Sequence, residues 1–538
     1  MLTKATAHPK KGASLSFGLQ RSRQHQRLSR TPLVLLAGLC ISHAAAAESL
    51  TFDGARAPSD YTDKLLTIRS TPKSLGPIQR RELGKQATSR QQEVLLNQRH
   101  SHNTISVQSG TVAGNVYGAA PAAANTAATH NTVSVTGGQV QQHVYGAYSR
   151  GTAASAHSNQ VTLAGGQVGG ALFGAYASGP QADAADNSVT VTSGTLGSSH
   201  SADARSGHVY GGYSTNGTAL KNKVHINGKD VNIRGSVFGG ASRDSLNRHA
   251  QNNSVTITAG TVTGQVVGGI GARAAGGLAN GNTVLVDGEH AHIQGEIRGG
   301  TGRNATHNIV HIRAGTIAHD VIGGYNTFGT LRPGTPQMLA TGNTLIIEGQ
   351  PQFAPRTING RAVLPSLYGG FSTNPNPRKR DVRTGNTLHM RTHNIALRNV
   401  HNFERIHFYL PANIAADTQV LTLNDAAGVD LSRSQISVDL PAGATLKKGQ
   451  RVQLIHASAG PLTTNIGKQL SQATEAPASP KPALAYTFRL SQEGNSVFAT
   501  VVSEGCSGHH SNRRPQAQPH RDAARQAEPV AEPATAEP

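Results

Sequence analysis

Asp287, Glu289 and Glu296 are the closest group of carboxylates in the repetitive middle of this 538-residue chain. Two carboxylates on one face could work as general acid and base on a glycosidic bond. We place them on a polar turn instead. His389, His393, His401 and His407 lie close in sequence, and His509-His510 follows Cys506. Histidine is the commonest metal ligand, but these show no repeated ligand spacing and are read as solvated or turn residues. Gly269-Ile-Gly271 is part of a dinucleotide fingerprint, yet it lacks the third glycine and ends a repeat. Gly299-Gly-Thr-Gly302 has the glycines of a Ca²⁺-binding nonapeptide without its Asp; Asn304 stands near that place. No Gly-x-Ser-x-Gly, His-Glu-x-x-His, phosphate-binding loop or paired-Cys motif occurs. We therefore assign no catalytic residue, no cofactor, no cofactor-binding residue and no metal ligand, and expect a protein that is not an enzyme.

The elements that carry these residues are copies of one stretch, clearest at Asn131-Thr-Val-Ser-Val-Thr-Gly-Gly-Gln-Val-Gln-Gln-His-Val-Tyr-Gly-Ala-Tyr148. Copies begin at Asn103, Asn131, Asn159, Asn187, Asn222, Asn253, Asn282, Asn308, Asn343 and Asn386. The first three intervals are 28 residues each, and later ones run from 26 to 43 because loops are inserted. Each copy opens with Asn, Thr or Ser and alternating aliphatics, and closes with an apolar pair, a Gly and a small residue. A fixed period in this range signals stacked repeats. Alternation puts Val133 and Val135 on one face and Ser134 on the other, as in a strand. Val, Ile, Thr and Tyr suit a pleated surface, and the glycines allow sharp bends between short strands.

No copy can bury its apolar row alone, so the copies stack. The expected fold is all-β, a parallel β-solenoid on the order of 50 Å long at about 4.8 Å per rung. Its ten initial asparagines would stack as a hydrogen-bonded structural ladder. A β-propeller is the rival, but a blade takes ~40–45 residues.

Around this array, residues 1–47 read as a signal peptide: seven Lys or Arg, the apolar run Leu33–Ile41, then small residues Ala44–Ala47. Residues 48–100 read as a polar leader or N-terminal cap, 101–390 as the solenoid, 391–503 as a C-terminal β cap, and 504–538 as a disordered tail. A hairpin is expected at Tyr486–Leu490 and Ser496–Val502, turning at Glu493-Gly494-Asn495. The h-region is too short to anchor in a bilayer, and no other segment could cross as a helix. Removing the signal takes the net charge from +20 to +13, since 42 Lys and Arg face 29 acids. We read that excess as diffuse surface charge rather than as a nucleic-acid footprint. No acid occurs from 94 to 182, and later acids occupy no fixed repeat position, so no ladder of metal sites is implied.

The Asn-Thr-Val plus Gly-Gly repeat, as in Asn253-Ser-Val-Thr-Ile-Thr-Ala-Gly-Thr-Val with Val267-Gly268-Gly269, resembles the passenger domain of bacterial autotransporters. So does the junction Asn402-Phe-Glu-Arg-Ile-His-Phe-Tyr-Leu-Pro411, then Thr418–Leu423, then Gly449–Ile455. The resemblance covers roughly 101–503 and implies a right-handed parallel β-helix that serves as an adhesin or aggregation factor. The implied partner is a host or bacterial surface glycan or protein, or a second copy; no small-molecule substrate is identified. The implied location follows export in a Gram-negative bacterium: periplasm, cell surface or medium. Family members end in a membrane barrel, whose strands need ~9–11 residues each. The 35 residues after Ser503 are too few, so a passenger-like orphan, a chain cut short before its barrel, or another exit route is expected. The alternatives are a polysaccharide-degrading β-helix enzyme or a non-functional remnant of a truncated autotransporter.

Overall fold

The computed structural model describes residues 48–52, 66–70, 92–96, 100–198, 203–242, 248–272, 276–327, 336–441, 443–466, 472–473 and 484–506. The signal peptide, the Pro477–Pro482 run, and His509-His510 with the rest of 507–538 lie outside them.

The described chain is all-β, and successive copies lie on one another in parallel register, as a solenoid requires and a propeller forbids. In sheet I, Val133 pairs between Ile105 and Val161. The column continues through Val189, Val224, Val255, Val284, Val310, Leu345 and Leu388. Sheet II follows in each rung, starting with Val116–Tyr117, Val144–Tyr145 and Leu172–Phe173. Sheet III closes the turn with Ala128–Thr129, Ala156–His157, Ala184–Ala185 and their successors to Asn304–Thr306.

Alternation sets which side chains go inside. Sheets I and II enclose one dry core of valine, isoleucine and leucine. A second core, between sheet III and the segment after sheet II, holds only alanines, among them Ala119, Ala128, Ala147, Ala156, Ala175 and Ala184. Each rung therefore has a wide lobe and a narrow one.

The waist between the lobes explains the conserved spacing within each copy. A Cβ on Gly146 would stand 2.3 Å from the Gly174 carbonyl oxygen and 3.1 Å from the Asn159 Cβ. Gly118, Gly174, Gly211, Gly239 and Gly268 are confined in the same way. The glycine of one rung lies against the asparagine that begins the next, so the two backbones touch where the lobes meet. Before every ladder asparagine the chain takes a left-handed corner. His102, His130, Ser158, Asp186, Lys221, Asn252 and His307 have φ between 52° and 61°, and Gly281, Gly342 and Gly385 between 65° and 69°.

The boundaries differ from the sequence expectation at both ends. Glu48–Phe52 lies in parallel register with Asn103–Val107, so a rung precedes the first repeat inside the segment read as leader. Leu66–Ser70 and Gln92–Leu96 form an antiparallel pair, and the second of these runs beside Val116–Tyr117. At the other end the stack does not stop at 390. Arg405–Tyr409 and Gln435–Asp439 extend sheet I by two more parallel strands. Alternation alone carries the ladder there, with Phe403 buried where the asparagine file has ended. The antiparallel closure begins later, where Arg451–Ala457 pairs with Ser496–Cys506 and that strand with Leu484–Glu493. Residues 504–506 are therefore strand rather than tail.

Replacing Gly146 with Ala should cost about 1–3 kcal/mol, the usual range for overpacking. A denaturant midpoint unchanged by Gly146→Ala would contradict the close approach at the waist.

Candidate binding surface

All ten sequence-assigned asparagines, from Asn103 to Asn386, are fully buried at the waist. The Asn159 Oδ1 accepts the backbone N–H of Asn131 at 3.1 Å and its Nδ2 at 2.8 Å. Asn187 and Asn222 repeat both bonds at 3.0 Å. The pattern runs through Asn253, Asn282, Asn308 and Asn343 to Asn386. A second Nδ2 proton goes to an alanine carbonyl of sheet III, for instance Asn159 to Ala128 and Asn222 to Ala184. The ladder thus satisfies backbone donors at a corner where no sheet partner exists. Buried on every side, it holds the scaffold and meets no ligand.

A second polar file escaped the sequence reading. It lies directly before sheet II. The Asn115 Oδ1 accepts the His143 N–H at 2.9 Å, and His143 Nδ1 accepts the Ala171 N–H at 2.8 Å. His208 Nδ1 serves Ser236, Ser236 Oγ serves Gln265, and Asp320 Oδ1 serves Ser366. The signal available in the sequence was a polar residue immediately before the apolar pairs of sheet II, with Ala171 before Leu172 as the exception.

The acids named as possible catalysts are not brought together. Asp287 binds Arg313 at 2.9 Å, and Glu289 lies 3.1 Å from His290. Glu296 is held by Arg298 and approaches His319 and Asp320. Ligand-type atoms of Glu296, His319 and Asp320 all fall within 4.8 Å of one another. The sequence assigned no metal, and this trio is the described group whose chemistry a cation would use. Its charge is already balanced: Arg356 grips both Asp320 oxygens at 3.3 Å, and His319 Nδ1 accepts the Asp320 N–H at 2.8 Å. Burial and the nearby Arg356 hold the His319 imidazole below its usual range.

The four grouped histidines also disperse. His389 and His407 neighbour each other on the outer face of sheet I, with ring centres 6.1 Å apart. His407 Nε2 meets Asp439 at 2.9 Å. His401 stacks on Tyr368 in sheet II, and His393 lies beyond the end of Thr387–Arg391. Burial, then His407, Arg391 and Arg405, pushes the His389 imidazole down to about 4.

From Tyr117 to Phe238 the side of sheet II turned away from the aliphatic core carries aromatic rings, and they are buried. Tyr117, Tyr145, Phe173, Tyr210 and Phe238 stack in one file, each ring centre 4.9 Å from the next and the planes within 16° of parallel. Spacing of this kind is the strand separation of the sheet itself. Tyr148, Tyr176 and Tyr213 form a second file beside it. The 35-residue interval after Asn187 is seven longer than the first three, and its loop returns over these rings. There the Asp203 carboxylate meets His143 Nε2 at 2.8 Å, and the Arg205 guanidinium lies 5.9 Å from the Tyr176 ring centre. Since His143 Nδ1 accepts a backbone N–H, a neutral ring carries its proton on Nε2 and donates it to Asp203. That hydrogen bond holds the Asp203 carboxyl well below the ordinary carboxylate range, against partial burial. Burial pushes the Tyr145 phenol up. Towards the C-terminal end Tyr325 stacks on Phe371 at 5.1 Å, and the Arg298 guanidinium lies 3.6 Å over Tyr325.

The fold is that of a parallel β-solenoid repeat protein, with an aromatic file on sheet II that runs from Tyr117 to Phe238 and gives way to Val267, Arg298 and Ile322. No protein-family model, curated protein or solved structure matches the chain.

Asn222→Ala should orphan the buried N–H and one Nδ2 proton of Asn187 and lower stability by on the order of 1–3 kcal/mol per lost partner. A smaller loss in urea unfolding than in an exposed Asn→Ala control would refute the ladder's energetic role. For His389 the sign follows from its depressed value. Unfolded histidine titrates near ~6.5, so between that pH and about 4 the unfolded chain binds the extra proton. The stability from keeping this ring neutral is full above ~6.5 and is lost as the pH falls towards about 4. Thermal midpoints should drop over that window, and drop less in His389→Leu.

Proposed function

We propose that this chain is an exported, passenger-like β-solenoid that binds other surfaces, acting in adhesion or self-association at the bacterial cell envelope. The observation that carries the proposal is the partly exposed pair Tyr148 and Tyr176, set on a buried aromatic file of sheet II beneath the loop that brings in Asp203 and Arg205. Aromatic side chains supply large contact area at low entropic cost. The half-exposed Tyr148 and Tyr176 offer it directly. The acids the sequence nominated for chemistry point the same way. Of those three, Asp287 and Glu296 are each paired with an arginine and Glu289 lies apart beside His290, so they do not converge on one substrate. Export rests on the basic and apolar segments before Glu48. The kinship with autotransporter passengers rests on the Asn-to-Gly repeat and the 402–455 junction.

A second function is favoured by one specific observation. Glu296 and Asp320 place carboxylate oxygens within 4.8 Å of each other beside His319, a pairing a polysaccharide-degrading enzyme would use. Release of unsaturated or reducing ends from acidic or neutral polymers, lost in Glu296→Gln, would establish it over adhesion.

The adhesion reading is tested by displaying residues 48–506 on cells and scoring attachment and clumping against cells that display an unrelated solenoid. Attachment or clumping above that control is expected, reduced in a Tyr148→Ser, Tyr176→Ser double variant. Behaviour equal to the control would defeat the proposal.

A further inference from the structure

Sheet II ends unevenly. Leu367–Ser372 has six residues, and the strand that follows it, Val400–His401, has two. His401 lies on Tyr368, with ring centres 4.6 Å apart and planes at 20°. The chain then turns through Asn402, at φ 61°, and the paired register stops before Phe371. One face of Phe371 is backed by Tyr325 at 5.1 Å. The last rung brings no ring to the other.

A cavity of about 160 Å³ opens there, lined by Tyr368, Phe371, Ser372, Arg380, Val382, His401 and Asn402. Arg380 reaches it from the insertion between Asn343 and Asn386. Its Nη1 donates to the carbonyl oxygens of Asn374 at 2.7 Å and Ser372 at 3.2 Å, which fixes the guanidinium. Among the described residues no carboxylate pairs with it, so Nε and Nη2 remain for a ligand. Asn402 donates through Nδ2 to the Gly370 carbonyl at 2.9 Å, and its Oδ1 stays available as an acceptor. The acid nearest in sequence, Asp381, is occupied by the backbone N–H groups of Arg383 and Thr384 at 3.0 and 3.1 Å. Arg378 and Lys379 stand exposed just outside.

We infer that this cavity binds one carboxylate-bearing sugar ring of an acidic polysaccharide. The chemistry is complementary on each side. A flat aromatic wall receives the C–H face of a pyranose, the fixed guanidinium forks a carboxylate in bidentate fashion, and Asn402 accepts from a hydroxyl. The volume is well below the ~300–1,000 Å³ of pockets that enclose a drug-sized ligand. It suits one residue of a polymer gripped from the side, with Arg378 and Lys379 meeting the flanking uronates. The assignment rests on the surface-binding function and names its ligand.

The test is calorimetric titration of the full chain with trigalacturonate, its methyl ester and neutral galactotriose. Trigalacturonate is expected to bind, with both uncharged trisaccharides weaker by roughly tenfold or more. Arg380→Gln should weaken trigalacturonate by a similar factor, Arg380→Lys by less. Phe371→Leu, which keeps apolar volume but removes the flat ring, should weaken all three sugars alike. Circular dichroism melts confirm that each variant is folded. Equal affinity for charged and neutral trisaccharides, no binding at all, or an Arg380→Gln protein that binds as wild type would each overturn the assignment. Attachment of cells displaying residues 48–506 is scored separately, so this ligand can fail while adhesion stands.

Discussion

The structure depends on a contact in which two backbones meet with no side chain between them. At the waist of each rung a glycine lies against the asparagine that starts the next, and that asparagine's amide bridges to its equivalent one rung on. Both parts are needed. A Cβ at the glycine would strike a carbonyl oxygen, and a residue unable to both accept and donate would leave buried backbone groups without partners. Because each rung hands the same geometry to its neighbour, the register of sheets I, II and III is fixed together. The valine column and the alanine core fill in on either side.

This arrangement also explains why insertions are tolerated. Loop length enters stability only slowly, and the waist reads only the corner, the asparagine and the glycine. Between those points the chain is free to lengthen. The insertion after Asn187 brings Asp203 and Arg205 back over the aromatic flank. The insertion after Asn343 brings Arg380 to the uncovered Phe371, and its inner part forms a small hairpin, Arg356–Ile358 with Arg361–Val363. That hairpin turns on Asn359 and Gly360, both at positive φ, the backbone pattern that favours a two-residue hairpin. Chemistry therefore gathers where extra residues fold back onto the rod, while the rungs themselves stay nearly constant.

The ends show the limit of motif reading. Past Asn386 the asparagine and the glycine pair disappear, and the sequence there reads as a different domain. Yet Ile406, Phe408, Ile436 and Val438 keep facing inward in register with the rungs before them. Alternation is enough to continue a parallel sheet when a neighbour already presents its edge. The specialised waist residues are needed only where the narrow lobe must also close.

The sequence by itself determined the class of fold, the inward valines and the asparagine file, since each follows from residue type at a fixed local spacing. It also determined the hairpin at Gly494, although it ended the second strand short of Cys506. Only the tertiary structure decided which distant side chains meet. His143 and Asp203 are 60 residues apart, and Glu296 finds His319 and Asp320 rather than Asp287 or Glu289. Phe371, Arg380 and His401 come from three separate segments to line one cavity. The reason is physical: periodicity fixes the direction each rung residue faces, but where an inserted loop returns is set by the surface it lands on, which exists only once the rungs have stacked.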